Sequence, residues 1–231
     1  MIDSIYDPAS YGFDADAVAA VEARIKAKIQ ARLVNGYISA EDAAKIREEL
    51  FRDPEYRRMF DAVEAAREER ARMLAEAEAP IVRDLRAAGF RVDSVWDVVN
   101  SSEPYFEALP VLMDHLERGG YPDRVMESLG RALAVKPSVV YWDRLKARYL
   151  DPRGSGEEEG AAIALAAAAT KRQLPDLIGF VEDEQRGDVR IYFLRPIKRL
   201  GGEEGLQLLE RLRDDPVLGR EATALLRKRR R

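Results

Sequence analysis

Two Trp-Asp pairs, Trp96-Asp97 and Trp142-Asp143, combine the residue types in this chain that best suit chemistry on a bound ligand. An indole ring offers a flat apolar surface for stacking, and an adjacent carboxylate can stabilise a cation that develops on the ligand. A structural interpretation competes with this one. Aromatic side chains dominate core burial, so both tryptophans are also expected where neighbouring helices pack.

Histidine and cysteine chemistry is almost excluded by composition. The chain has 231 residues, one histidine and no cysteine, so disulfides, thiolate chemistry and cysteine-based zinc sites are impossible. The single histidine, His115, has no second histidine or cysteine to act with. We therefore predict that it is a partly exposed structural residue.

The acidic runs and glycine-containing segments do not match the patterns of metal, phosphate or nucleophile sites. The runs GEEEG at 156–160 and VEDEQ at 181–185 lack the alternating oxygen ligands of a calcium loop. They are expected in solvated loops or at helix starts, where acids are favourable. The sequence has no Gly-rich phosphate loop and no G-x-S-x-G elbow. It therefore predicts a protein that is not an enzyme, with no cofactor and no metal.

The strongest charge feature is the C-terminal stretch LLRKRRR at 225–231. Residues 220–231 hold six basic residues and one acid, whereas the whole chain has a formal net charge of −4, so the body is acidic. The tail could contact phosphate or an acidic protein, and phosphate binding would be independent of base sequence and steeply salt-dependent. It could equally be a frayed helix end with favourably placed cations. The candidate contact residues are Arg227, Lys228, Arg229, Arg230 and Arg231.

No targeting or membrane signal is evident. The N-terminus lacks a basic region followed by an apolar run, and the alanine-rich run at 160–170 is too short to cross a bilayer. We expect a protein without a membrane segment, located in the cytoplasm.

The N-terminal segment, 1–90, is predicted to be helical throughout. Asp14 or Asp16 can cap a helix that ends at Asn35-Gly36, Ser39 can cap a second helix, and Asp53-Pro54 can begin a third. Pro80 is expected to open a further helix, 80–88, closed by Gly89. The polar run REERAR at 67–72 is expected to face solvent or to pack on a second copy of the chain, which would give a homo-oligomer. The apolar residues expected to be buried by the first helix are Val18, Val21, Ile25, Ile29 and Leu33.

The second segment, 91–231, begins with a helix containing Val95, Val98 and Val99 and then becomes repetitive. LPVLMDHLE at 109–117 recurs as LPDLIGFVE at 174–182, at an offset of 65 residues, and the offset also pairs Met126 with Ile191 and Leu129 with Leu194. Offsets of 34 and 31 residues divide this interval. Four helix–turn–helix units follow, at roughly 103–135, 137–170, 172–201 and 203–231. Stacked units share one core, so the expected fold is all-α, a right-handed α-solenoid.

The repeat resembles the HEAT-like family. The resemblance rests on LPVLMDHLE followed by YPDRVMESLGRALAV, and on LPDLIGFVE followed by GDVRIYFLRPIKRLG. These units are shorter than the roughly 40–47 residues usual for HEAT repeats. Tetratricopeptide repeats are the alternative, but Lys146 stands at their glycine position and Glu158 near their alanine position. The ankyrin motif is absent.

The resemblance implies that the second helix of each unit lines a concave face. The residues expected there are Arg124, Glu127, Arg131, Tyr192, Arg195 and Arg199. Arginine and tyrosine are common interface anchors, although ordinary solvated helix surface would have the same composition. Among HEAT-like proteins, alkyl-DNA glycosylases place tryptophans and an aspartate around a damaged base. Trp142, however, aligns with the expected core residue Leu109, which favours packing.

Three functional hypotheses remain open at this point. The leading one is a non-enzymatic scaffold that binds a partner protein on the concave face. The alternative is a nucleic-acid-binding or DNA-repair protein that uses the basic tail. By analogy with short HEAT-like families, a third is an assembly or lyase-chaperone role, although fold does not imply function.

Overall fold

The computed structural model describes residues 13–227, and the prediction of an all-α protein is confirmed for them. They contain no β-strand, only an isolated bridge between Val34 and Tyr37. The chain divides into two compact units, Met1–Met73 and Leu74–Arg231. The helices are α1 (Ala15–Gln30), α2 (Ala40–Phe51), α3 (Pro54–Ala87), α4 (Val95–Val99), α5 (Leu109–Arg118), α6 (Asp123–Ala132), α7 (Trp142–Leu150), α8 (Ser155–Ala168), α9 (Leu174–Glu182), α10 (Ile191–Leu200), α11 (Gly202–Arg211) and α12 (Gly219–Leu226).

Short 3₁₀ segments connect several of these helices. They are Phe106–Ala108, Lys136–Tyr141, Lys171–Gln173, Glu184–Arg190 and Leu212–Asp214.

Several helix starts follow the capping signals in the sequence. The Ser39 hydroxyl accepts the backbone N–H of Asp42 at 3.0 Å. Asp53 Oδ1 accepts the N–H groups of Glu55 and Tyr56. Each cap satisfies a backbone donor that has no partner within its helix.

The first helix is shorter than predicted. It ends at Gln30, and Asn35-Gly36 instead forms a tight turn in which Val34 and Tyr37 exchange two backbone hydrogen bonds of 2.9 Å. Both turn residues have positive φ, at 50° for Asn35 and 79° for Gly36, which suits asparagine and glycine. The prediction that Ile29 and Leu33 are buried is therefore wrong, since they are 38% and 41% exposed.

The predicted helix start at Pro80 is also wrong, because α3 runs through it without interruption. Leu74, Ala77, Ile81 and Leu85 recur at helical spacing on both sides of the proline and pack into the large core of the second unit. Tertiary packing of this stripe outweighs the local penalty of a proline inside a helix.

The core of the second unit is built by successive helix contacts. α5 packs on α6, α7 on α8, α9 on α10 and α11 on α12, while α6, α8, α10 and α12 pack on one another in that order. Ile191, which the repeat pairs with Met126, is not in this core, since it is 38% exposed. The residues expected from the repeat that are buried include Leu109, Leu112, Met113, Met126, Leu129, Ala132, Leu145, Tyr149, Leu174, Leu177, Val181, Leu194, Ile197, Leu208, Leu209 and Ala222.

Two arginines, Arg153 and Arg186, join helices that are distant in sequence. The Arg153 guanidinium donates to the carbonyls of Leu116, Glu117 and Arg118 at the end of α5, at 2.8–2.9 Å. Arg186 donates in the same way to Tyr149 and Leu150 at the end of α7, at 3.0 and 2.7 Å. Each guanidinium satisfies carbonyls left open by a helix end. We call Arg153 and Arg186 the arginine clamps.

Candidate protein-binding face

The solvent-facing sides of α6, α8 and α10 form one continuous surface, which we call the second-helix face. Its residues recur at i, i+3 or i+4, and i+7, so each set lies on one side of its helix. The helices pack in the order α6, α8, α10, which places the sets side by side. The face consists of Arg124, Glu127 and Arg131 on α6, Glu159, Ile163 and Ala166 on α8, and Tyr192, Arg195 and Arg199 on α10.

On α6, Glu127 holds both arginines of the set. It accepts from Arg124 Nη1 at 2.8 Å and from Arg131 Nε at 2.6 Å. The Arg124 guanidinium also lies 5.0 Å from the ring centroid of Trp96, a cation–π contact. These contacts hold the α6 arginines in fixed positions above a half-buried carboxylate.

Glu159 on α8 links α6 to α10. Its Oε1 lies 3.6 Å from Arg131 Nη2 and accepts the Tyr192 hydroxyl at 2.5 Å. Burial, together with this hydrogen bond, raises the pKa of Tyr192 to about 12, so the phenol stays protonated. Sequence analysis missed Glu159, which it treated only as part of the acidic run GEEEG. The signal that could have found it is its spacing of four and seven residues from Ile163 and Ala166, which places it on the same side of α8.

Arg195 and Arg199, the other two residues expected on α10, lie outside the Glu159 network. Arg195 pairs with Glu221 of α12 at 3.0 Å, and its side chain is 77% exposed. Arg199 is exposed and forms no ion pair with any residue between 13 and 227. The structure thus brings Arg124, Glu127, Arg131 and Tyr192 into one network and leaves the last two arginines further along the face.

Near Arg199 the structure places a second cation, Lys136. Its ammonium donates to the Ala169 carbonyl at the end of α8, at 2.9 Å. Burial, and next the positive charge of Arg199, lower the pKa of Lys136. No carboxylate among the described residues pairs with Lys136.

The basic tail is only partly covered by the structure. Arg227 is exposed and lines an open groove of about 1030 Å³ between α10, α11 and α12, which also contains Lys198, Leu206 and Glu221. Lys228, Arg229, Arg230 and Arg231 lie outside the described residues.

The Trp-Asp pairs have structural partners. Trp142 is buried, and its indole N–H donates to Asp176 Oδ2 at 2.7 Å. Lys146 donates to the other oxygen of the same carboxylate. Asp97 accepts the N–H groups of Asp93 and Ser94 at the start of α4. The packing interpretation accounts for these contacts.

His115 is not partly exposed as predicted, since only 1% of it is accessible. Nε2 lies 3.0 Å from Asp84 Oδ2 and Nδ1 lies 2.6 Å from the Tyr121 hydroxyl. Burial lowers its pKa, with a further contribution from Arg118 and an opposing one from Asp84. Both ring nitrogens therefore make hydrogen bonds within the protein, which agrees with a structural role for His115.

Glu157, in the acidic run GEEEG, is also more buried than a solvated position would be. It is 1% exposed and is held by Arg153 through its backbone N–H, Nε and Nη2. It belongs to an arginine clamp. Across residues 13–227, no group of three or more acidic or histidine side chains is arranged to hold a metal ion.

The first unit has an apolar groove of its own. It measures about 270 Å³ and lies between α1 and the first part of α3. Glu22 and Glu64 border it, and Phe60, which also lines it, is 39% exposed. The remaining lining residues are Val18, Val21, Ile25, Tyr56, Met59 and Val63.

Comparisons with protein-family models, with curated proteins and with solved structures found no match. None of the described helices combines the length and apolar character needed to span a membrane.

Proposed function

We propose that this chain is a non-enzymatic scaffold that binds a partner protein through the second-helix face. The observation that supports this most strongly is the network centred on Glu159, which holds Arg131 of α6 and Tyr192 of α10 in fixed positions. Arginine and tyrosine are frequent anchors of protein interfaces, and anchors that are already fixed lose less entropy on binding.

The proposal includes the architecture expected from the repeat. We infer that the region from residue 103 onward is a right-handed α-solenoid of four HEAT-like hairpins: α5/α6, α7/α8, α9/α10 and α11/α12. Packing of α6, α8, α10 and α12 in sequence order supports it, since neighbouring units of a solenoid contact one another in order. The second-helix face would then be concave.

The test is affinity capture from a lysate of the source organism, with the full chain immobilised and bound proteins identified by mass spectrometry. Replacing Tyr192 and Arg195 with alanine should abolish capture of a partner that the wild type retains. The matched control is Tyr37→Ala with Arg47→Ala, which removes the same two residue types from exposed positions of the first unit. Thermal unfolding verifies that all three proteins are folded at the temperature of capture. Equal capture by the Tyr192/Arg195 variant would remove this assignment.

The same experiment also tests the alternative hypothesis, that the chain binds nucleic acid. Half of each lysate is treated with nuclease before capture. A partner protein that is still captured after nuclease treatment supports the scaffold proposal. A partner protein that is lost after nuclease treatment, and also on deletion of residues 228–231, would favour nucleic-acid binding through the basic tail.

We also infer that the chain self-associates through its N-terminal helices. The apolar groove between α1 and α3 supports this, because uncovered apolar surface of this kind is common at protein interfaces.

A further inference from the structure

Charge is unevenly distributed along the second-helix face. Its acids, Glu127 and Glu159, lie toward one end and are already engaged with arginines or tyrosine. Toward the other end, Arg199 and Lys136 face no carboxylate among residues 13–227. The chain as a whole has a net charge of −4, so a cationic end without acids is unusual for it.

Both unpaired cations lie toward the same end of the face. Lys136 donates to the Ala169 carbonyl at the end of α8, and Arg199 lies in the last turn of α10, which packs on α8 with its first turn beside Glu159. The positive charge of Arg199, after burial, contributes to the lowered pKa of Lys136. An anion bound near both cations would be attracted by each of them. We call Lys136 and Arg199 the cationic pair.

Between α6 and α10, the solvent-facing side of α8 beyond Glu159 is apolar. Ile163 and Ala166 are the outward residues of α8 beyond Glu159, and both are half-buried. Alanine ends at Cβ, whereas Arg131 and Arg195 on the neighbouring helices have long side chains. The middle helix therefore has shorter side chains than its two neighbours, and this strip, which we call the trough, runs toward the Ala169 carbonyl that Lys136 binds.

We propose that the trough and the cationic pair together bind an acidic, amphipathic peptide segment of a partner protein. Apolar side chains of the segment would cover Ile163 and Ala166, and its carboxylates would contact Lys136 and Arg199. This deepens the proposed function by naming the chemistry of the partner, and it rests on that function. Helical or extended segments that lay an apolar side into a groove are a common mode of peptide recognition.

A polynucleotide fits this surface less well. A phosphate backbone that followed the face would pass the carboxylates of Glu127 and Glu159. A protein segment can place its few acidic residues only where the cations are, and can use neutral or basic residues elsewhere.

The test uses the full chain, immobilised, and a phage-displayed library of random 16-residue peptides. Enriched peptides are synthesised with a fluorescent label, and their affinity is measured by fluorescence anisotropy in 50 and 300 mM salt. The variants are Lys136→Glu with Arg199→Glu, and Arg199→Glu alone, which keeps the Lys136–Ala169 bond. The control is Arg47→Glu with Arg58→Glu, which changes net charge equally at exposed positions of the first unit.

We expect the enriched peptides to be rich in Asp and Glu around apolar residues. Their affinity should fall by about tenfold or more in both cationic-pair variants, in high salt, and when Asp and Glu are replaced by Asn and Gln. The control variant should bind like the wild type. Circular dichroism melts verify that each variant is folded.

Other outcomes overturn the inference. In the selection, these outcomes are that no peptide is enriched or that the enriched peptides have no acidic residues. In the affinity measurement, they are that neither cationic-pair variant changes peptide affinity, or that a 20-nucleotide single-stranded DNA binds through the same two residues. If enriched peptides lose affinity with Tyr192→Ala and Arg195→Ala but not with the cationic-pair variants, the proposed function stands and this inference fails. If lysate capture fails while acidic peptides bind through the cationic pair, the peptide site stands without the broader scaffold.

Discussion

Gly130 of α6 lies directly against Gly160 of α8: a Cβ atom on Gly130 would be 2.2 Å from the backbone of Gly160. No real Cβ makes such a contact, so the two helices can approach this closely only because residue 130 has no side chain. This contact brings the α6 and α8 parts of the second-helix face together and sets the distance that Glu159 has to bridge.

Gly130→Ala is therefore expected to destabilise the protein by about 2 kcal/mol, because overpacking outweighs the higher helix propensity of alanine. The measurement is urea unfolding followed by circular dichroism. Gly179→Ala is the matched control, since it lies within α9 and has no atom within 4 Å of the added Cβ. It should be neutral or stabilising by up to about 1 kcal/mol. Equal effects of the two substitutions would contradict the contact.

Arg153→Met should lower the free energy of unfolding by about 2–3 kcal/mol. Three backbone carbonyls would lose their hydrogen-bond donor, and the buried Glu157 carboxylate would lose its ion pair. Adding Glu157→Gln should restore part of the loss, because the unpaired buried charge is then removed. Both are measured as shifts of the urea midpoint. Arg172→Met, at an exposed position, should change stability by less than about 0.5 kcal/mol. A double variant no more stable than Arg153→Met would show that Glu157 does not depend on this clamp.

Stability should depend on pH through His115. Its pKa is lowered by burial, so the unfolded chain, with a histidine pKa of about 6.5, binds the proton more readily than the folded chain. Unfolding free energy should therefore fall as pH decreases from about 7.5 to 5.5. Because the chain has one histidine, His115→Gln should flatten the profile in this window. A wild-type profile that is flat or rises toward low pH would contradict the lowered pKa.

Self-association through the first unit predicts that molar mass rises with protein concentration in light scattering. Phe60→Asp should suppress the rise, because a carboxylate would have to be buried against the apolar groove. Val140→Asp is the control, an apolar-to-acidic change at a residue of the second unit that is 77% exposed. A constant monomer mass for the wild type at high concentration would dismiss this interface.

Local signals in the sequence were good guides to local structure. Ser39 and Asp53 cap helices as predicted because the donor and acceptor lie two or three residues apart. The apolar spacing around Met126 and Leu194 also located buried positions, since helical period is a property of a single segment.

Features that depend on distant partners were missed. Arg153 binds carbonyls 35 to 37 positions earlier, and nothing near it in the sequence distinguishes it from a solvated loop arginine. His115 was expected to be partly exposed because it lies on an amphipathic helix and has no second histidine or cysteine to act with, but Asp84 and Tyr121 enclose it from other segments. Pro80 failed as a helix start for the same reason, since packing of Ile81 and Leu85 determines the backbone there.

For the second-helix face, the arginines and Tyr192 were predicted from helical spacing together with the HEAT-like resemblance. The sequence could not supply Glu159 as the link, because that role exists only once α8 lies between α6 and α10. Lys136 was missed because it begins a 3₁₀ segment outside the repeat pattern, and its contact with the Ala169 carbonyl at the end of α8 is tertiary.

The arginine clamps also determine how the chain can be divided. Each clamp joins a loop to the end of one earlier helix, so a truncation between residues 118 and 153, or between 150 and 186, separates a guanidinium from its carbonyls. A fragment ending at residue 200 would keep both clamps and all three helices of the second-helix face. Domain boundaries for expression should therefore avoid those two intervals, and a boundary at residue 200 would itself separate the buried Arg190 guanidinium from Asp215.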